Sequence, residues 1–266
     1  MANSQYSERV IEGMQMLFGE GFLSPGGAAE VDEMLEGEDI AGKTVIDLGC
    51  GIGGGALMLA GKYKAGRVVA VDVEPDSLER TRAAADAAGV GGRIETLQIA
   101  PGPVPLPDGC ADVVFTKDVV CHIDDKAAAF AEMARLLRPG GRLICADFVE
   151  NKPDAADPDG IALFDAWVDV LKTYGLSFHY ERWDVYERAL AAAGFAAPRV
   201  FDHTGNSAVV ARREYDLVTG PDHGPIKARL GEDYFKTRIK TSEMRALALE
   251  RRGLLHLHIR ADKPAG

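Results

Sequence analysis

The 266-residue chain has only four cysteines, Cys50, Cys110, Cys121 and Cys145, and no C-x-x-C pair among them. Isolated cysteines of this kind exclude a disulfide framework and a zinc-ribbon reading, and lead us to expect reduced thiols and a cytoplasmic protein. Long apolar runs are also missing. No stretch reaches the roughly 18 residues of a membrane span, and the first residues lack the basic-then-apolar layout of a secretory leader, so membrane insertion is not expected. Positive charge is in deficit, with Lys+Arg 30 against Asp+Glu 41 and a formal net charge of -11, a field that disfavours a nucleic-acid partner. There is no internal repeat, no low-complexity tract and no metal-ligand spacing. His256 and His258 form an H-x-H pair on a predicted strand, expected to be a solvated edge rather than a metal site. Arg212-Arg213 and Arg251-Arg252 read as solvated helix faces.

What is present is a soluble-enzyme composition, 47% hydrophobic and 27% charged, organised around Val45-Ile46-Asp47-Leu48-Gly49-Cys50-Gly51-Ile52-Gly53-Gly54-Gly55. A β-branched run ends beside an acid, glycines allow a sharp turn, and Ala56-Leu57-Met58-Leu59-Ala60 resumes with helical propensity. Gly49, Gly51 and Gly54 also satisfy the G-x-G-x-x-G pattern of dinucleotide sites. Asp47 tilts the choice: a carboxylate there would crowd a pyrophosphate but suits a cationic ligand. Val68 to Asp72 is a second apolar strand ending in an acid able to accept ribose hydroxyls, which fits either cofactor.

These motifs, with Leu136-Leu137-Arg138-Pro139-Gly140-Gly141 before the fifth strand, resemble the class I S-adenosylmethionine-dependent methyltransferases. The resemblance implies a Rossmann-like, seven-stranded α/β sheet with helices on both faces, and S-adenosylmethionine as cofactor. The chain pattern agrees with such a fold. Strands are predicted near 44–48, 67–72, 93–99, 111–116 and 142–147, with helices near 54–62, 76–88 and 125–137, an alternation that argues for a parallel sheet. Arg199 to Phe201 and Leu254 to Ile259 read as the last strands, and Trp183 to Phe195 as a helix. Asp47, Asp72, Ile99-Ala100, Asp118 and Asp147 fall at or just after strand ends, so they should converge on the carboxyl edge, where ligands bind in open sheets.

We expect a single domain, 1–266. Residues 1–40 carry an amphipathic helix over 8–18, a Gly-rich loop with aromatics and a short helix, and suit a lid. Residues 41–147 form the cofactor-binding core. The segments 148–180 and 204–252, the latter charged and largely helical in composition, are insertions expected to build the substrate pocket.

Methyl transfer is an in-line displacement, for which the protein holds the reacting atoms collinear and removes a proton from a protonated nucleophile. His122, after the fourth strand in Thr116-Lys117-Asp118-Val119-Val120-Cys121-His122, is the candidate base; the spacing also allows it simply to pair with Asp118. Tyr6, Phe18-Gly19-Glu20, Ser24-Pro25-Gly26-Gly27, Asp118, His122 and Arg238-Ile239-Lys240 resemble the phosphoethanolamine N-methyltransferases. That resemblance implies a catalytic dyad of Tyr6 and His122, closing over the cofactor and deprotonating an amine. Expected cofactor contacts are Ser24, Asp47, Gly49, Gly51, Asp72, Val73, Ile99, Ala100 and Asp118. Phe148, Tyr174, Arg182, Arg238 and Lys240 are expected to contact a small-molecule acceptor. Phe148 stands where the family has a tyrosine and Ala100 where it has an aspartate, and Arg245 is out of register with a family lysine, so the acceptor's phosphate is left open. Methyl transfer to oxygen or sulfur of a small metabolite, and a non-catalytic cofactor-binding module, are the alternative readings.

Overall fold

Val45, Ile46, Val68, Val69, Ala70, Val71, Val113 and Val114 are all at 2% exposure or less, which marks the strands that carry them as the covered centre of a sheet. They belong to β1 (Thr44–Leu48), β2 (Arg67–Asp72) and β4 (Ala111–Lys117); β3 (Ile94–Gln98) is a half-exposed edge. With β5 (Leu137–Glu150), β6 (Arg199–Asp202) and β7 (Leu254–Asp262), the computed structural model gives a seven-stranded sheet of order β3-β2-β1-β4-β5-β7-β6. The structure describes residues 7–152, 157–173 and 178–266.

The sheet is mixed, where alternation alone predicts a parallel one: β1 to β5 are parallel, and β7 runs antiparallel to both β5 and β6. The long segment after β6 stays at the carboxyl edge, so the chain re-enters from that edge and must run backwards. β5 is also longer than expected, so Asp147 lies inside the strand rather than at its end, opposite Leu257 of β7.

Helices cover both faces. α5 (Lys126–Leu136) and α7 (Trp183–Ala192) bury Phe130, Met133, Tyr186 and Leu190 against one face. α2 (Gly27–Met34), α3 (Gly54–Gly61) and α4 (Pro75–Ala87) bury Val31, Met34, Leu59 and Leu78 against the other, joined by Met14 and Phe18 of α1 (Glu8–Phe18). Beyond the carboxyl edge, α6 (Pro158–Thr173), α8 (Thr204–Thr219) and α10 (Glu232–Glu250) enclose Phe148, Phe164, Trp167, Ala211, Ala246 and Leu249. α9 (Gly224–Leu230) packs Ile226 and Leu230 beside Leu17 of α1. Among the described residues no helix is long and apolar enough to cross a membrane.

Candidate functional site

The turn from β1 into α3 is held by β2. The N–H groups of Gly49 and Cys50 both donate to the Val71 carbonyl, at 2.8 and 3.0 Å. Gly49 has φ +77°, and a Cβ there would lie 2.3 Å from a Val119 methyl, so both conformation and space demand glycine. Asp72 accepts from the N–H of Gly51 at 2.8 Å and of Glu74 at 3.0 Å, which fixes its carboxylate at the rim of the turn. Ile99 donates to the Asp72 carbonyl, and Val73 and Ala100 are exposed on the same rim.

Asp47 is 3% exposed, and its Oδ2 is buried without a hydrogen-bond partner. The space a Cβ of Gly55 would take lies 3.2 Å from that oxygen. Burial, followed by the charge of Asp72, pushes the Asp47 carboxyl up to about 7. A desolvated carboxylate oxygen with nothing to accept from is a receptor for a cationic donor.

The segment joining α1 to α2 lies on this turn. Gly54 N–H donates to the Gly21 carbonyl at 3.0 Å, and Gly21 N–H to Gln15 Oε1 at 2.9 Å. The loop is pinned from below by Lys117 at the end of β4, whose Nζ donates to Ser24 Oγ at 2.8 Å and the Pro25 carbonyl at 2.7 Å. Lys117 also pairs with Asp118 Oδ2 at 2.6 Å and Glu30 Oε2 at 3.0 Å, with all three side chains at 8% exposure or less. Ser24, expected as a cofactor contact, is therefore hydrogen-bonded to Lys117.

Asp118 has φ +57°, an uncommon conformation for a non-glycine residue, and its N–H donates to the Ala146 carbonyl. Burial alone would raise its carboxyl; Lys117 and His256 outweigh that and hold it well below the usual range. His256 and His258, expected on a solvated edge, are 2% and 3% exposed. They are not on an edge: β7 lies between β5 and β6, under α2 and α8, so its outward side is covered. His256 Nε2 is 3.2 Å from both Asp118 Oδ1 and Glu30 Oε1. Burial would lower the His256 pKa, but Glu30 and Asp118 raise it.

His122 closes a single 3-10 turn, Val120–His122, and is solvent-exposed, with its ring 4.4 Å from that of Phe178. Phe178 stacks on Tyr180 at 5.2 Å, and Tyr180 meets Phe164 and Trp167 of α6, so an aromatic wall runs from the histidine to the inserted helix. Tyr6 and Tyr174 lie outside the described residues. Asp147 accepts from the Tyr186 hydroxyl at 2.9 Å, and burial, then the Asp118 charge, pushes its carboxyl up to about 7. Phe148 stacks on His256 at 4.0 Å. Of the remaining expected acceptor contacts, Arg182 pairs with Asp184 at the start of α7 and Lys240 is exposed on α10. Arg238 sits over the Phe18 ring at 5.0 Å, with Nε and Nη2 buried and unpaired.

Sequence reasoning missed Lys117 and Glu30, and it weighed Arg245 only as a cation out of register. Arg245 is buried and paired with Glu214 of α8, so its charge is neutralised within the helical insertion. The sequence marked a short helix here, but not that Glu30 on it is buried. Phe148, Ser207, Asn206, Arg245, Glu30 and His256 line one cleft between α2, α8 and α10.

Residues 46–145 match the family model described as "Methyltransferase domain". The chain is 30% identical over 233 residues to phosphoethanolamine N-methyltransferase 3 of Arabidopsis thaliana, covering 87% of this chain and 45% of that protein. It thus spans less than half the length of that relative. It is 32% identical over 189 residues to sarcosine/dimethylglycine N-methyltransferase of Halorhodospira halochloris, covering 69% of this chain and 63% of that protein. A solved structure of Haemonchus contortus phosphoethanolamine N-methyltransferase 2, with phosphomonomethylethanolamine and S-adenosylhomocysteine, superposes with TM-score 0.85 at 19% identity, covering 98% of this chain and 58% of that one.

Proposed function

The chain carries a class I S-adenosylmethionine-dependent methyltransferase domain, and from that premise we propose that it methylates the nitrogen of a small amine of the ethanolamine-phosphate or N-methylglycine kind. The observation that carries the reading is the orphaned Oδ2 of Asp47 facing the glycine turn, in a chain whose relatives include N-methyltransferases of small amines. S-adenosylmethionine fits the residues present: Asp47 offers a buried anion for its ammonium, the glycine turn lets its backbone approach, and Asp72 stands where ribose hydroxyls can reach a carboxylate.

When bound, the cofactor supplies an electrophilic methyl on a sulfonium. Asp47 orients it by accepting from its ammonium. The Gly19–Gly26 loop, held to the turn through Gly21 and to β4 through Lys117, excludes water from the reacting atoms. His122, beyond β4 and beside the aromatic wall, takes the proton from the acceptor nitrogen and frees its lone pair, with Tyr6 fixing the imidazole tautomer. Arg238, with two unpaired guanidinium nitrogens, is the candidate cation for an acceptor's anionic end.

The test is turnover with S-adenosylmethionine and a panel of phosphorylated and carboxylated amines, reading S-adenosylhomocysteine release and product mass. An N-methyl product is expected. Methyl found only on oxygen or sulfur, or no cofactor turnover with any amine, overturns the proposal.

A further inference from the structure

Two histidines of the last strand and one carboxylate of the arm meet at a single buried point that the methyl-transfer reading does not use. The ligand atoms of Glu30, His256 and His258 all lie within 4.8 Å of one another. We propose that these three residues bind a divalent transition-metal ion of the zinc type, with Asp118 within reach as a fourth ligand.

Three of the separations match the edges of a tetrahedral nitrogen and oxygen set. Bonds of about 2.0–2.1 Å to a tetrahedral zinc place neighbouring ligand atoms about 3.3 Å apart. His256 Nε2 and Glu30 Oε1 are 3.2 Å apart, His258 Nε2 and Glu30 Oε1 3.3 Å, and His256 Nε2 and Asp118 Oδ1 3.2 Å. Alternate positions on a strand put both imidazoles on one face, and both present Nε2 to the same carboxylate oxygen. Each ring is held from behind. Ser207 Oγ lies 2.6 Å from His256 Nδ1, and the His203 ring stacks on His258 at 3.7 Å. The partner on the far ring nitrogen of His256 fixes an imidazole as metal-ligating histidines are fixed, and stacking holds the ring of His258.

Lys117 is the evident competitor, but it occupies the other side of both carboxylates. It takes Glu30 Oε2 and Asp118 Oδ2, leaving Oε1 and Oδ1 turned to the histidines. With neutral imidazoles, two carboxylates against one ammonium leave a net negative site for a dication. Two nitrogen donors favour zinc-like ions over calcium or magnesium, which prefer all-oxygen sets. Binding expels the protons held at the Nε2 positions. The ion would cross-link α2 to β7, joining residues 228 apart in sequence at the base of the arm.

The whole chain, stripped with chelator and then given Zn²⁺ or Co²⁺, should retain about one ion per chain after gel filtration. It should show the visible absorption of tetrahedral Co²⁺ and melt at a higher temperature with Zn²⁺. His258→Gln and Glu30→Gln should each lose the stoichiometric ion and the melting shift, while His223→Gln, a histidine elsewhere, keeps both. X-ray absorption on the unmodified protein should show two imidazole ligands and no sulfur, a result that does not depend on any variant folding. Failure to retain the ion, a Co²⁺ spectrum unchanged by His258→Gln, or sulfur coordination would overturn the site. None of these readouts requires methyltransferase activity.

Discussion

The N–H of Gly54 donates to the carbonyl of Gly21 at 3.0 Å, so a donor in the first turn of α3 is taken by the N-terminal arm. Helix N-termini leave such donors free for a cap or a ligand. Here the arm itself supplies the acceptor and is seated on the cofactor turn.

A methyl group at this contact should unseat the arm. The Cβ of Gly54→Ala would lie 2.5 Å from the Gly21 oxygen and 2.8 Å from Phe22 Cζ. The strain, on the order of 1–3 kcal/mol, should weaken S-adenosylmethionine binding in calorimetry and expose the Gly19–Gly26 loop to limited proteolysis. Unaltered affinity and protection would mean that the arm does not cover the cofactor.

Asp47→Asn should separate stability from binding. Near pH 8 it removes a buried carboxylate with one oxygen unpaired, which should stabilise the ligand-free protein by on the order of 1–3 kcal/mol. The same change removes the receptor for the cofactor's ammonium, so S-adenosylmethionine should no longer raise the melting temperature. A variant that melts lower yet still responds to the cofactor would refute this role.

The ligand-free protein should become more stable as pH falls from 8 to about 5.5. Asp47 and Asp147 both have folded pKa values raised from 3.8 to about 7. In that window the folded state binds more protons than the unfolded one, so stability falls as pH rises. The raised His256 acts in the same direction and the lowered His258 opposes it. A net gain on the order of 1–2 kcal/mol is expected, measured by urea unfolding at several pH values. Asp47→Asn should flatten the slope; an equal slope in that variant would assign it elsewhere.

Lys117→Met strips the charge that balances Glu30 and Asp118 and removes the two bonds that hold the Ser24-Pro25 loop. Removing one partner from a buried ionic group costs about 3–5 kcal/mol. A drop of this size in unfolding free energy is expected, and a loss under about 1 kcal/mol, the range of exposed pairs, would show that the group is solvated.

His122→Ala should lower kcat by about 100- to 10,000-fold, the range for a general base, with the dissociation constant for S-adenosylmethionine unchanged. Tyr6→Phe should act on the same parameter. Equal losses in kcat and cofactor affinity would instead make His122 a cofactor-positioning residue.

The sequence by itself marked the core strands and helices, though not the length of β5 or the reversed direction of β7, because alternating covered strands and amphipathic helices leave periodic apolar patterns. It also marked the glycine turn, since a sharp turn against a neighbouring strand leaves room for no side chain at Gly49. Only the tertiary structure decided what meets the carboxyl edge from elsewhere in the chain. The H-x-H of β7 looks identical on an open edge and under a helix; the insertion of β7 between β5 and β6, and the placement of Glu30 above it, made it a buried ionic centre. Arg245 reads only as a cation out of register, and its burial against Glu214 appears once α8 is placed beside α10. Periodicity is local and survives in the sequence, whereas the burial and charge of a polar side chain depend on partners up to 228 residues away.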